Sequence, residues 1–265
     1  MKFALTLLAA GTLFTAGAEN LFPSGDAEGT AWGKTVLSPE NAKTGKNSFE
    51  ITEKSAWVYS PETIEIKPDK TYKLAVAAKS KNPQNLSNAY IGLTLLDANK
   101  APILRNTVNP IAGSETVVLA DAKPGDTVIR VADAAKWKKT MMLALNAKAD
   151  LSDLPNRNLL TVKDAAKNGD GWDLTLAAPL KVAVAKDAAV RFHDLAAGHC
   201  YSILLGKIPA DWKEYSVTIS GQAKDGAPYD KFWPGAKYAR FIIVANYGQD
   251  DAGAYFDDVV FEEQP

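Results

Sequence analysis

Apolar and polar residues alternate along most of this chain in short runs. Ser48-Phe49-Glu50-Ile51, Thr63-Ile64-Glu65-Ile66, Tyr72-Lys73-Leu74-Ala75-Val76 and Tyr215-Ser216-Val217-Thr218-Ile219 read with period two, and residues 238–245 do the same. Successive side chains on a strand point to opposite faces, so this period predicts strands with one buried face. Turn chemistry separates the runs, as in Lys67-Pro68-Asp69-Lys70, Asp97-Ala98-Asn99-Lys100 and Asn168-Gly169-Asp170-Gly171. The spacing is that of an all-β sandwich. One helix candidate stands out, residues 132–139 with Asp133 as its cap, and it is too short for more than a turn or two.

The texture changes near Ser114. Residues 115–194 are rich in Ala, Lys and Asp and carry their own strand pattern, from Gly125-Asp126-Thr127-Val128 through residues 141–145, 159–162 and 172–176 to residues 188–192. An insertion is tolerated where chain ends meet on an exposed loop. The expected organisation is therefore a discontinuous sandwich, residues 19–114 and 195–265, interrupted by a small inserted β domain, residues 115–194. Trp137 and Trp172 are expected in or over that unit's own core.

Composition narrows the function. Met1-Lys2, an apolar run over residues 3–14 and the small residues Ala16-Gly17-Ala18 describe a secretory signal peptide over residues 1–18 with cleavage near Ala18. That run is too short to span a bilayer, which takes about 20 residues. The expectation is a secreted or periplasmic chain with no membrane insertion. A formal net charge of −1 and the lack of a basic block argue against nucleic acid as partner and for a neutral or weakly charged ligand. Cys200 is the single cysteine, so no intramolecular disulfide forms, and a buried thiol is its expected state.

Three segments carry a family resemblance. Ser24-Gly25-Asp26-Ala27-Glu28, Thr44-Gly45-Lys46-Asn47-Ser48-Phe49-Glu50-Ile51 and Ala254-Tyr255-Phe256-Asp257-Asp258-Val259-Val260-Phe261 resemble the ends of a galactose-binding-like jelly roll, the fold of many non-catalytic carbohydrate-binding modules. The Trp212-led segment 211–216 resembles the strand that precedes the last two in such folds. The resemblance covers roughly residues 20–105 and 200–263. It implies neighbouring first and last strands and a structural calcium held by Glu28, Asp257 and the carbonyls around Gly45 and Lys46, with Asp26 and Asp258 as weaker candidates. Residues 115–194 resemble a small β-barrel or β-roll unit of bacterial extracellular and phage-tail proteins.

Sugar binding needs rings that lie against pyranose faces and a few well-placed polar groups. Trp57 and Tyr59 share one strand face, where they serve either a ligand or the core. Tyr229, Phe232 and Trp233 lie in a Gly- and Pro-bearing stretch, residues 225–235, whose expected role is an exposed binding loop, the alternative being a lid over the sandwich end. Residues 239, 241, 243 and 245 form the better core face of their strand, which leaves Tyr238, Arg240 and Asn246 on the other, where Arg240 meets either a glycan or a surface carboxylate.

Catalysis has little support. His193 and His199 lack a recognisable metal-ligand spacing, Cys200 next to His199 points the other way on a strand, and no Gly-x-Ser-x-Gly elbow is present. The expected function is carbohydrate binding through the aromatic loop or a concave sheet face. The alternative is a structural or adhesive surface protein that uses the same aromatics for protein contacts.

Overall fold

The computed structural model describes residues 19–265. The segment expected to be a signal peptide, residues 1–18, lies outside them. First come β1 (Val36–Ser38), β2 (Ser48–Ile51), β3 (Ala56–Tyr59), β4 (Ile64–Glu65), β5 (Thr71–Ser80), β6 (Asn88–Leu96) and the single-turn helix α1 (Arg105–Val108). Then come β7 (Thr116–Val117), β8 (Val128–Val131), β9 (Met141–Leu145), β10 (Leu159–Asn168), β11 (Gly171–Leu176) and β12 (Ala189–Asp194). The chain closes with β13 (Cys200–Lys207), β14 (Lys213–Ser220), β15 (Tyr238–Ala245) and β16 (Ala254–Glu263).

The molecule is an all-β sandwich. One sheet has the order β1-β2-β16-β5-β14, and the other has the order β13-β6-β15-β3, with β4 also paired to β15. Alternation explains the layering. On β15, Ala239, Phe241, Ile243 and Ala245 enter the core, as their spacing requires, and meet Ala89, Ile91, Leu93 and Leu95 of β6. Aromatic pairs fill the space between the sheets, with Phe49 stacked on Phe256 at 4.8 Å and Tyr72 on Phe261 at 5.0 Å. Burying each such side chain is worth about 1.5–3 kcal/mol.

Chain ends meet in the first sheet. β16 pairs with β2, and the entering segment adds hydrogen bonds from Leu21 N to Phe261 O (2.7 Å) and from Val259 N to Gly25 O (2.9 Å). It is β2, not β1, that touches β16, because β1 sits outside it as the edge strand.

Residues 116–194 contribute a third sheet, β7-β12-β9-β10-β11-β8. Its hydrophobic cluster, with Ile129, Val131, Leu143, Leu174 and Phe192 at its centre, is separate from that of the sandwich, and Trp137 and Trp172 pack against it. The entering strand β7 pairs with the leaving strand β12, so the two ends of the unit lie side by side. The helix expected over residues 132–139 is instead a pair of turns. Asp133 caps Ala135 N at 2.9 Å, and burial of Ala134 in the cluster decides the path over propensity in so short a segment.

Candidate functional site

The outer face of the β13-β6-β15-β3 sheet carries the largest gathering of partly exposed rings. On β3, Ala56 and Val58 point into the core, so Trp57 and Tyr59 point out. Val244 of β15 is in register with Trp57 on one side and Tyr90 of β6 on the other, which makes one transverse row. Ile242, next along, is in register with Tyr59 and Gly92, and Arg240 with Thr94.

A bulge completes the face. The β13–β6 register shifts between Cys200 and Leu204, and the extra residues lie directly over Gly92. A Cβ at residue 92 would sit 2.0 Å from Cys200 O and 2.7 Å from Tyr201 Cα, so this row admits only glycine. The bulge turns Cys200 inward, where burial pushes its thiol up to about 12, and sets Tyr201 on the outer face. His199 then stands edge-on to Trp57 (5.7 Å), Tyr59 (6.4 Å) and Tyr201 (6.1 Å). Burial lowers the pKa of His199 and favours the neutral ring, and its Nδ1 is buried with no hydrogen-bond partner among the described residues.

Trp57 divides the surface into two adjoining hollows. The larger, about 550 Å³, has Ser24, Trp32, Lys34, Tyr59 and Arg240 in its wall. The smaller, about 300 Å³, lies among Tyr90, Gly198, Tyr201 and Tyr247. Trp57 is 43% exposed and Tyr247 49%, so these two offer the most open ring surface. Tyr90 packs edge-on to Tyr247 at 5.1 Å and is tilted against Tyr201 at 5.3 Å. Arg240 donates from Nε and Nη2 to Ser60 O at 3.1 and 2.6 Å, with its guanidinium 5.2 Å above the Tyr59 ring.

The loop expectation fails for two of its three rings. Trp233 and Phe232 have no exposed surface and belong to the sandwich core. Residues 225–235 close the open end of the sandwich: Phe232 N donates to Gly221 O (3.0 Å), Phe232 packs edge-on to Tyr72 (5.5 Å), and Trp233 Nε1 donates to Pro228 O (2.8 Å). The polar end of the indole is thus satisfied inside, which lets the ring be buried whole. Tyr229 is exposed, held by Arg105 Nη1 at 3.3 Å, yet no residue of this loop lines either hollow.

Tyr238 continues the outer face beyond Arg240, with Lys100 5.3 Å above its ring, outside both hollows. Asn246 is fully buried and donates to Ile51 O and Glu53 O, so it ties loops together and does not face a ligand. The surface carboxylate considered for Arg240 is not there among the described residues. Sequence reasoning missed Tyr90, Tyr201, His199 and Tyr247, which come from strands and loops whose adjacency no local pattern reveals.

The two histidines are apart in role. His193 sits where β12 meets α1: Arg191 Nε donates to its Nε2 (3.0 Å), so Nδ1 carries the proton and donates to Asn106 O (2.7 Å). Arg191, also fully buried, pairs with Asp153 at 2.6 Å. This is a satisfied structural network, and burial lowers the His193 pKa within it.

Glu28 and Asp257 flank one turn. Glu28 Oε1 accepts Lys46 N (2.6 Å) and Asn47 N (3.0 Å), while Asp257 Oδ2 accepts Lys43 N (2.9 Å) and Thr44 N (3.3 Å) and its Oδ1 accepts Asp258 N (2.8 Å). Gly45, at φ +59°, lets Glu28 approach; a Cβ there would lie 2.5 Å from Glu28 Oε1. The turn thus offers N–H groups to these oxygens. Asp257 is fully buried without an ion-pair partner among the described residues, so burial pushes its carboxyl up, while the backbone N–H groups hold Glu28 down. Among the described residues no group of three or more His, Cys, Asp or Glu could hold a metal ion, so the one observation in favour of a cation is the burial of Asp257 without a counter-charge.

No family model and no curated protein matches this sequence. Among solved structures, a chain titled "Family 16 Carbohydrate Binding Module-2" aligns over 91% of this chain and 99% of its own length at 13% identity, with a TM-score of 0.34. A likeness that loose leaves function to be argued from the residues themselves. Among those described, no helix is long and apolar enough to cross a membrane.

Proposed function

We propose that this is an exported, non-catalytic carbohydrate-binding protein, and that its binding surface is the aromatic face around Trp57. The observation that carries the reading is the row Trp57–Val244–Tyr90 flanked by Tyr59, Tyr201, His199 and Tyr247: apolar ring surface on a rigid sheet, with Arg240 fixed among it. Strands hold such groups more precisely than loops do. Neither hollow has an Asp or Glu in its lining, whereas glycoside hydrolysis uses two carboxylates about 5–10 Å apart. The adhesive reading has one observation in its favour, the near-perpendicular packing of these rings, which builds a patch as well as a platform.

A glycan-array screen of the chain from Glu19 onward tests the proposal. Binding that Trp57→Ala abolishes supports it; the absence of any glycan ligand, together with a stable protein complex through this face, favours adhesion. Calcium at Glu28 and Asp257 is part of the same proposal, as a clamp on the chain ends. So is the independence of residues 115–194: a short Gly/Ser linker in their place is expected to leave a cooperatively unfolding sandwich.

A further inference from the structure

Arg240 differs from the other arginines of this chain. Arg105, Arg130, Arg157 and Arg191 each lie within 4.0 Å of an aspartate carboxylate. Arg240 is half-buried, and its recorded partners are a single backbone carbonyl, Ser60 O, and the face of Tyr59. Neither neutralises its charge, and Nη1 has no hydrogen-bond partner among the described residues. Two contacts on Ser60 O hold the fork still, so its free edge is oriented before any ligand arrives.

Arg240 borders the larger hollow. Its lining includes Lys34 and Arg240 and no carboxylate. Glu53 offsets the charge of Lys34 at 2.6 Å, and Glu62, behind Ser24, accepts a hydrogen bond from that hydroxyl, so Arg240 is the lining cation with no ion-pair partner among the described residues. The exposed Trp57 indole stands at the border of the same hollow, so a ring stacked there would bring its substituents toward the guanidinium.

We propose that this hollow takes a carboxylate-bearing sugar unit, a uronic acid within an otherwise neutral polysaccharide, with the free edge of Arg240 pairing with the carboxylate. The inference rests on the glycan-binding reading of the aromatic face and adds the charge of its ligand. A planar, delocalised guanidinium matches a carboxylate in shape, which a neutral hydroxyl cannot reproduce. The chain's net charge of −1 limits the preference to isolated carboxylates and disfavours dense polyanions.

Calorimetric titration of the protein with a glucuronic-acid-substituted xylan and with the same polymer after carboxyl reduction tests this. At least tenfold tighter binding to the acidic form is expected, weakening as salt rises. Arg240→Gln is expected to erase that preference, and Arg240→Lys to restore it in part. Equal affinity for both polymers overturns the inference and leaves the glycan reading standing. Binding to neither polymer, nor to any glycan on an array, overturns both. Loss of both affinities in a folded Arg240→Gln makes Arg240 a structural support of the face and overturns the inference as well.

Discussion

Two aromatic groups invite the same interpretation in the sequence, and the fold treats them in opposite ways. Tyr229, Phe232 and Trp233 sit in a stretch with the Gly and Pro of a surface loop, yet Phe232 and Trp233 are wholly buried. Trp57 and Tyr59 sit on a strand, where large aromatics usually serve the core, yet they face outward. The difference teaches that strand parity outranks loop composition as a guide to exposure. On β3 the inward places are taken by Ala56 and Val58, which leaves the rings nowhere else to go. In the loop nothing fixes parity, and the open end of the sandwich draws in whatever apolar surface the loop carries.

The largest expected effect breaks this comparison if it fails. Trp233→Ala removes a fully buried ring from the core and is expected to cost about 3–5 kcal/mol by denaturant unfolding. Trp57→Ala is expected to cost less than about 1 kcal/mol, since a partly exposed ring away from the core contributes little. Similar losses for the two variants would mean that the assignment of core and surface is wrong.

Next in size is the effect expected of the proposed calcium at Glu28 and Asp257. If calcium binds only the folded state, a concentration one hundred times its dissociation constant adds about 2.7 kcal/mol, read as a higher Tm that excess chelator reverses and Asp257→Ala abolishes. The pH dependence has a definite sign. Burial raises the Asp257 carboxyl above its value in the unfolded chain, so the folded state holds that proton more tightly. In calcium-free protein its contribution to stability therefore increases as pH falls from neutral through the folded titration, and levels off below the unfolded value. Calcium-induced stabilisation should accordingly be greater at neutral pH than in acid. Identical melting curves with calcium and with chelator would remove the metal from the account.

A smaller change sharpens the comparison on the exposed side. Gly92→Ala places a methyl group against the backbone of residues 200–202 and is expected to cost about 1–3 kcal/mol while displacing Tyr201 and His199. Glycan binding should fall further than this loss of stability explains, because the bulge positions rings of the site. An unchanged affinity in a folded Gly92→Ala protein would show that Tyr201 and His199 are not part of the binding face.

What could be read without coordinates follows the range of the interactions. The parity of residues 238–245 was legible, because side chains alternate from one residue to the next, and it correctly placed Arg240 outward and Phe241 inward. The local strand pattern of residues 128–192 was legible for the same reason. The set of rings around Trp57 was not. Tyr90, Tyr201 and Tyr247 reach it only because β6 lies beside β15 and β13 bulges over Gly92, facts of long-range pairing that no local run of residues encodes. The loop misled because turn residues mark a reversal of the chain, which says nothing of whether the rings between them face water.

The central claim is that Trp57 meets the ligand and Trp233 does not. Oxidation of the folded protein by limiting N-bromosuccinimide, mapped residue by residue by mass spectrometry with and without a polysaccharide selected on the array, measures both at once. The account expects Trp57 to be oxidised early and protected by bound polysaccharide, with Trp233 unmodified in either condition. Oxidation of Trp233 in folded protein, or a Trp57 that stays equally reactive while polysaccharide is bound, would contradict it.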